Sequence, residues 1–215
     1  VRDTGEDRSF RRSAAKTYTK PETTGIAKLE SSGPVFDYLT KARGISPEGL
    51  HRYRQAQTNG AMGPECVFPV CSSDGRTVEM LKFLAIRRGS DGKKIIRASK
   101  DSRPHLFGWQ DIPATARDVV ITEGEIDAMT VANWGHPALS VPSGADNMEW
   151  IEHDFEALAR FDRIFVCTDA DDAGHKCAGK IAERLGRARC YRVIIPGFKD
   201  VNEALVSGRF VGPDF

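Results

Sequence analysis

From residue 118 to residue 207 the chain alternates short β-prone runs with helical stretches, and this alternation limits its fold more than any other feature. "DVVIT" reads as a buried strand, "EIDAMTVANW" as a helix ending at Gly135, "ALSVPSG" as a strand and turn, and "MEWIEHDFEALARF" as an amphipathic helix. There follow "RIFVCTD" as a strand, "AGHKCAGKIAERLG" as a helix closed by Gly186, "RCYRVIIP" as a strand and "DVNEALVSG" as a last helix. Short connections between alternating elements predict an α/β fold, a parallel sheet covered by helices on both faces. Ligands of such sheets bind beyond the carboxyl ends of the strands. Function should therefore lie in the residues just after each strand.

Those residues are acidic. Glu123 follows the first strand, with Glu125 and Asp127 one turn on; Asp169, Asp171 and Asp172 follow the third; Asp200 follows the fourth. One acidic loop after a strand is most often a solvated turn or a helix N-cap. Carboxylates brought by three strands to one edge repel each other unless protonated or bound to a cation, and hard oxygen donors suit magnesium or manganese. Gly124 and Gly174, lacking Cβ, would let backbone and phosphate approach closely.

The upstream half differs in character. Residues 1–34 are rich in Arg, Lys, Thr, Ser and Glu with almost no periodic apolar positions, which predicts a flexible arm or linker. Phe36, Leu39, Ile45 and Leu50 then fall at helical spacing, broken at "RGISPEG", and predict two short helices around a turn. "ECVFPVC", "TVEMLKFLAIRR" and "KKIIRAS" are β-prone runs separated by "SSDGR" and "GSDG", the mark of a small antiparallel sheet. The organisation expected is an arm over 1–34, an α+β subdomain over 35–110 and an α/β subdomain over 111–215. Lys82, Arg87, Arg88, Lys93, Lys94, Arg97, Lys100 and Arg103 face only Asp91 and Asp101 in the same stretch. Such a local excess of positive charge reads as a groove for nucleotide phosphates and nucleic-acid backbone, although natural sheets also blunt their edges with such residues. Lys82, set among apolar residues in "MLKFLAI", and Lys94 are the choices for nucleotide contact. Phe107 and Trp109 are of a kind that stacks on bases, but core packing is the simpler reading.

Several function classes drop out. No apolar run nears the roughly 20 residues of a membrane span, and "VRDTGEDRSF" lacks a signal-peptide core, so a cytoplasmic protein with no membrane partner is expected. A net charge of +1 excludes a globally basic nucleic-acid coat. Cys66, Cys71, Cys167, Cys177 and Cys190 show no paired spacing, which predicts reduced thiols and no zinc site. "GHKCAGKI" imitates a P-loop, but Ile181 stands where Ser or Thr must hold magnesium, and the segment reads as helix interior. The histidines show no metal spacing, and His153 and His175 are expected on helix surfaces. The first residue, Val1, suggests a piece of a longer protein.

The set "EGEID", then "DADDAG" about forty residues on, then "KDVNEAL" resembles the TOPRIM domain shared by bacterial-type primases, topoisomerases and some nucleases. "VVITEGEIDAMTV" with "LFG" before it, "KDVNEA" after it and the "ARGIS" segment is similar to the primase half of phage-type primase-helicases and their Twinkle-like relatives, over roughly residues 35–207. The resemblance implies a TOPRIM parallel sheet flanked by helices, preceded by a small α+β subdomain with an antiparallel sheet. It implies a DNA primase, making short RNA primers on a single-stranded DNA template from ribonucleoside triphosphates by two-metal nucleotidyl transfer. By that resemblance Asp169 and Asp171 are the metal-binding pair. Glu123 serves either metal binding or acid–base work, Asp200 is a further acidic position at the metal site, and Asp127 supports. Nucleotide contacts then fall to Lys82 and Lys94, and nucleic-acid contacts to Arg87, Arg88, Arg97, Lys100 and Arg103.

A replicative helicase, in the same chain or separate, is the implied protein partner, in a bacterial, phage or prophage setting. Two other readings share the motif: a non-catalytic TOPRIM module serving a helicase as a DNA-binding part, and a TOPRIM nuclease. Intact carboxylates weigh against the first and "ARGIS" against the second. A topoisomerase needs a nucleophilic tyrosine, and Tyr18, Tyr38, Tyr53 and Tyr191 lie in no segment that suggests one. Bacterial-type primases carry a zinc ribbon that reads the template; this chain departs from that pattern.

Overall fold

A computed structural model of the chain describes residues 16–142, 147–210 and 212. The first half of the expected arm, residues 1–15, and the turn residues Ser143 and Gly144 lie outside them. Two sheets carry the fold. An antiparallel sheet holds β1 (Ala27–Lys28), β2 (Ala56–Gly60), β3 (Gly63–Cys71), β4 (Val78–Ala85) and β5 (Ile96–Ala98), in sequence order. A second sheet holds β6 (Asp118–Thr122), β7 (Ala138–Ser140), β8 (Arg163–Cys167) and β9 (Cys190–Arg192), all parallel, in the order β7-β6-β8-β9.

Helices connect them as the alternation predicted: α3 (Glu125–Asn133), α4 (Glu149–Leu158), α5 (Asp172–Leu185) and α6 (Val201–Val206). Upstream lie α1 (Pro34–Asp37), which runs on as a π turn over Tyr38–Ala42, and α2 (Pro47–Arg52). The side chain of Ser46 accepts the Gly49 N–H at 3.0 Å and Pro47 occupies the first turn, an ordinary helix start. Asp171 caps α5 in the same way, and Gly186 ends it at φ 102°.

Burial follows the periodicities. Val119, Val120 and Ile121 in β6 are all buried, as a central parallel strand covered on both faces must be. On one face α4 and α5 pack Trp150, Ile151, Leu158, Cys177 and Ile181 against Val119, Ile121, Ile164 and Val166. On the other, α3 and α6 join Leu39, Tyr53, Phe68, Val70 and Met80, so one core runs from the parallel sheet to the inner face of the antiparallel one. Burying each such large side chain contributes roughly 1.5–3 kcal/mol. Phe107 and Trp109 belong to these cores, Phe107 fully buried and stacked 5.2 Å from Tyr53. The P-loop imitation lies within α5, where Cys177, Ala178 and Ile181 face the core.

Two expectations need correction. Residues 16–34 are not without structure: β1 pairs with β2, Thr19 N–H donates to the Asp101 carbonyl at 2.8 Å, and Tyr18 and Lys16 both bond Glu149 of α4. Ordering comes mainly from backbone hydrogen bonds and polar pairs, which leave no apolar periodicity to read; Ile26 packs against Val67, Leu81 and Phe83, and Leu29 against the main core. His153 is not a plain surface residue either, since its ring sits 5.3 Å from that of Tyr18 and 5.6 Å from that of His105.

Candidate active site

The carboxyl edge of the parallel sheet faces the inner side of β4 and β5 across a pocket of about 260 Å³. From the parallel sheet come Glu123, Gly124, Glu125, Asp127, Asp169, Lys199 and Asp200; from the antiparallel sheet and its hairpin come Lys82 and Lys94, over a floor that includes Phe68 and Leu84. Period-two alternation explains the second group. Met80, Lys82 and Leu84 share one face of β4, while Leu81 and Phe83 share the other.

Each acidic side chain has its own local reason to stand there. Glu123 ends the β6 loop and its Oε2 accepts the Asp169 N–H at 3.4 Å. Asp169 begins the loop after β8, whose backbone is held by Arg192: one guanidinium nitrogen reaches the Asp169 carbonyl at 2.9 Å and another that of Val166 at 3.0 Å. Asp127 accepts the Asn202 N–H at 3.0 Å. Asp200 is the N-cap of α6 and accepts the Glu203 N–H at 2.7 Å. Gly174 is required where the sequence placed it, because a Cβ there would lie 2.1 Å from the Asp169 carbonyl oxygen; what approaches it is backbone of its own chain.

Electrostatics mark the cluster as frustrated. Burial, and then the charge of Asp169, raises the Glu123 carboxyl above its ordinary pKa. Burial and the nearby Asp200 push Asp127 up to about 7. Asp169 is also raised, by burial first, against the pull of Lys199. That ammonium lies 3.2 Å from Asp169 Oδ2 and 3.7 Å from Asp171 Oδ2, and its own pKa rises mainly through the Asp169 bond. Lys82 is bound to Glu125 at 2.5 Å with both side chains largely buried.

The pocket thus gathers Glu123, Asp127, Asp169, Asp200, Lys82 and Lys94. Asp171 is excluded from its lining and caps α5 by accepting the Gly174 N–H at 2.9 Å, which lowers its pKa. Asp172 is exposed in the first turn of α5. The basic run is divided, because strand alternation and turns send its members apart. Arg97 lies over the Phe83 ring at 3.6 Å on the opposite face of the sheet and pairs with Glu65 at 2.5 Å. Lys100 lines a second pocket with Arg97 and Lys20. Arg88 folds back to the Gly92 carbonyl, Arg103 sits 5.3 Å over Tyr18, and Arg87 is exposed beyond the end of β4. Residues that sequence reasoning passed over are Lys199, Glu203, Asn202 and Arg192. The first three lie inside the quoted "KDVNEAL", and Arg192 gave no signal.

In chemistry the donors fit a divalent cation: they are hard carboxylate oxygens, and Glu123, Asp127 and Asp169 are raised in pKa by burial first and by neighbouring carboxylates second. Among the described residues, no three carboxylate, imidazole or thiolate side chains already stand grouped around one ion position. Asp169 has its oxygen on Lys199 instead. Among the same residues no helix is long and apolar enough to cross a membrane, and the five cysteines are free thiols.

A family model described as Toprim-like matches residues 120–205, the span that holds all five pocket carboxylates, Glu123, Glu125, Asp127, Asp169 and Asp200. The Twinkle homolog protein, chloroplastic/mitochondrial, of Arabidopsis thaliana is 31% identical over 216 aligned positions, which cover 89% of this chain and 29% of that protein. The Gene 57 protein of Mycobacterium phage D29 is 31% identical over 121 residues, 56% of this chain and 76% of that protein. The primase fragment of the bacteriophage T7 primase-helicase superposes with a TM-score of 0.66 at 22% identity, over 88% of this chain and 79% of that one. This last likeness is one of fold. The chain spans less than a third of the Twinkle homolog and about three quarters of the phage D29 protein. By fold, family match and relatives, the chain belongs to the TOPRIM primase family, the group of phage primase-helicases and Twinkle-like proteins.

Proposed function

We propose that this chain is the catalytic core of a DNA primase, a nucleotidyltransferase that joins ribonucleotides on a single-stranded DNA template. One observation carries the reading: a pocket with carboxylates from three strand ends on one wall and Lys82 and Lys94 on the other. That pairing suits a reaction between polyanions, in which acidic groups hold a cation and basic groups hold a triphosphate. A purely structural domain gains nothing from several carboxylates crowded into one partly buried pocket.

Magnesium or manganese, as one ion or a pair, would be held by Glu123, Asp169 and Asp200 with Asp171 at the rim, and would supply Lewis-acid charge at the reacting phosphate. The chain's own groups do the rest. Lys94, exposed on the β4–β5 hairpin, receives the triphosphate, and Lys82, fixed by Glu125, sets the charge of the pocket floor. Glu123 either shares the cation or takes the proton of the attacking 3′-hydroxyl, a role to which its raised pKa is suited. Asp127 holds α6, and with it Asp200, against α3. Arg87, Arg88, Arg97, Lys100 and Arg103 are assigned to the nucleic-acid backbone outside the pocket, with Arg97 and Lys100 on the far face of the sheet. A replicative helicase is the proposed protein partner, as the name of the T7 relative joins the two activities.

The test is primer synthesis from labelled ribonucleotides on single-stranded DNA with manganese, for the parent and Asp169→Asn. Short RNA from the parent and none from the variant is the expected result. Strand cleavage without synthesis would identify a nuclease, and DNA binding with neither would identify a non-catalytic module.

A further inference from the structure

The pocket contains a cation of its own. Lys199 is held at the backbone from both sides: its N–H donates to Glu203 Oε2 at 2.7 Å, and its carbonyl accepts the Ala170 N–H at 2.8 Å. Its side chain is different, 60% exposed, with the ammonium bridging Asp169 and Asp171 at the pocket rim. A flexible four-carbon stem on a fixed root can re-aim its charge at little cost. Lys82 lacks that freedom, because Glu125 holds it at 2.5 Å where both are largely buried.

Lys199 thus occupies a carboxylate oxygen of Asp169, one of the residues that would hold a divalent ion. An ammonium and a divalent cation cannot share one carboxylate edge without strong repulsion, and the doubly charged ion wins the exchange. The displaced ammonium would then be free to pair with the phosphates of an incoming nucleotide, which carry more charge than any single neighbouring carboxylate. We infer that Lys199 is an exchangeable counter-ion: it neutralises Asp169 and Asp171 until a divalent cation takes their oxygens, and then transfers its charge to the nucleotide triphosphate. The inference rests on the metal-dependent reading proposed above. It makes Lys199 a positioning residue that couples metal entry to nucleotide binding.

A crossed effect on two affinities tests it. Calorimetry with Mn²⁺ alone, then with ATP at saturating Mn²⁺, is applied to the parent, Lys199→Met, Lys199→Gln and Lys199→Arg, each first shown folded by circular dichroism. Removing the competing charge in Lys199→Met should tighten Mn²⁺ binding by roughly two- to fivefold, the range of an exposed ion pair. It should weaken ATP binding by roughly tenfold, the loss of one charge-assisted hydrogen bond. Lys199→Gln should repeat both effects, and Lys199→Arg should keep both affinities near the parent's. A parent that binds Mn²⁺ beside a Lys199→Met protein with unchanged or weaker Mn²⁺ affinity, or unchanged ATP affinity, overturns the inference alone. A parent that binds no Mn²⁺ overturns the metal reading, and the inference with it.

Discussion

Arg43 and Asn202, 159 positions apart, are locked together: Asn202 Nδ2 donates to the Arg43 carbonyl at 2.8 Å, and an Arg43 guanidinium nitrogen returns a bond to Asn202 Oδ1 at 3.4 Å. The same amide group reaches Thr130 Oγ1 of α3 at 3.0 Å. "ARGIS" and "KDVNEAL", far apart as text, are thus two sides of one joint. It fixes the start of α6, and with it Asp200, against α3 and the helical segment between β1 and β2.

That joint is buried, so its loss is costly. Asn202→Ala should destabilise the protein by about 2–3 kcal/mol, because it leaves the Arg43 carbonyl and the Thr130 hydroxyl short of a donor. Urea denaturation measures this. A change within about 0.5 kcal/mol would mean that water replaces the amide and that the joint is loose.

The Lys82–Glu125 pair predicts a non-additive result. Lys82→Met leaves the Glu125 carboxylate largely buried and without its partner, at a cost of about 3 kcal/mol, while Lys82→Met with Glu125→Gln together should recover most of that loss. Additive single and double effects in a denaturation cycle would show that the two charges are separately solvated.

Gly174→Ala places a methyl against the Asp169 carbonyl oxygen and must push α5 and the acidic loop apart. A loss of roughly 1–3 kcal/mol is expected. Gly179→Ala, in the same helix where a Cβ meets nothing, should match or slightly exceed the parent in thermal stability. Equal behaviour of the two variants would contradict the close approach.

Acid should release the segment around Tyr18. Bonds from Lys16 and then Tyr18 hold the Glu149 carboxyl below its ordinary pKa. A depressed carboxyl contributes stability above its unfolded pKa and loses it as the pH falls through the folded value. Hydrogen exchange at the Thr19 amide, which bonds the Asp101 carbonyl, should therefore accelerate below about pH 4.5 relative to β6 amides. Glu149→Gln should show the faster exchange at neutral pH as well. No difference between Thr19 in the parent and in Glu149→Gln would detach the segment from α4.

Legibility divided along lines of range. Strands such as Val119–Ile121 and helices such as Asp172–Leu185 announced themselves, because burial imposes a period on contiguous residues and caps such as Asp171 and Gly186 mark the ends. Strand β1, two residues long, carried no such mark, since pairing with β2 uses backbone atoms that every residue has. Within the site, Glu123, Asp169 and Asp200 were legible because topology sends the ends of parallel strands to one edge. Asp171, paired with Asp169 by the family resemblance, also caps α5, since a carboxylate a few residues past a strand can satisfy free helix N–H groups, and only the structure shows that double position.

The basic run shows the same limit from the other side. Sequence proximity put Lys82, Arg97 and Arg103 into one groove, yet alternation on a pleated strand sends Lys82 inward and Arg97 outward, and only the packing of two sheets decides which face lines the pocket.

By itself the sequence determined the α/β alternation, the acidic strand ends and the family resemblance, because these depend on local periodicity and on residue type. The tertiary structure decided that Lys82 faces Glu125, that Lys199 covers Asp169 and that Asn202 ties Arg43 to α3. Such pairings are set by how the two sheets dock around a shared core, a long-range outcome that no local pattern of side chains encodes.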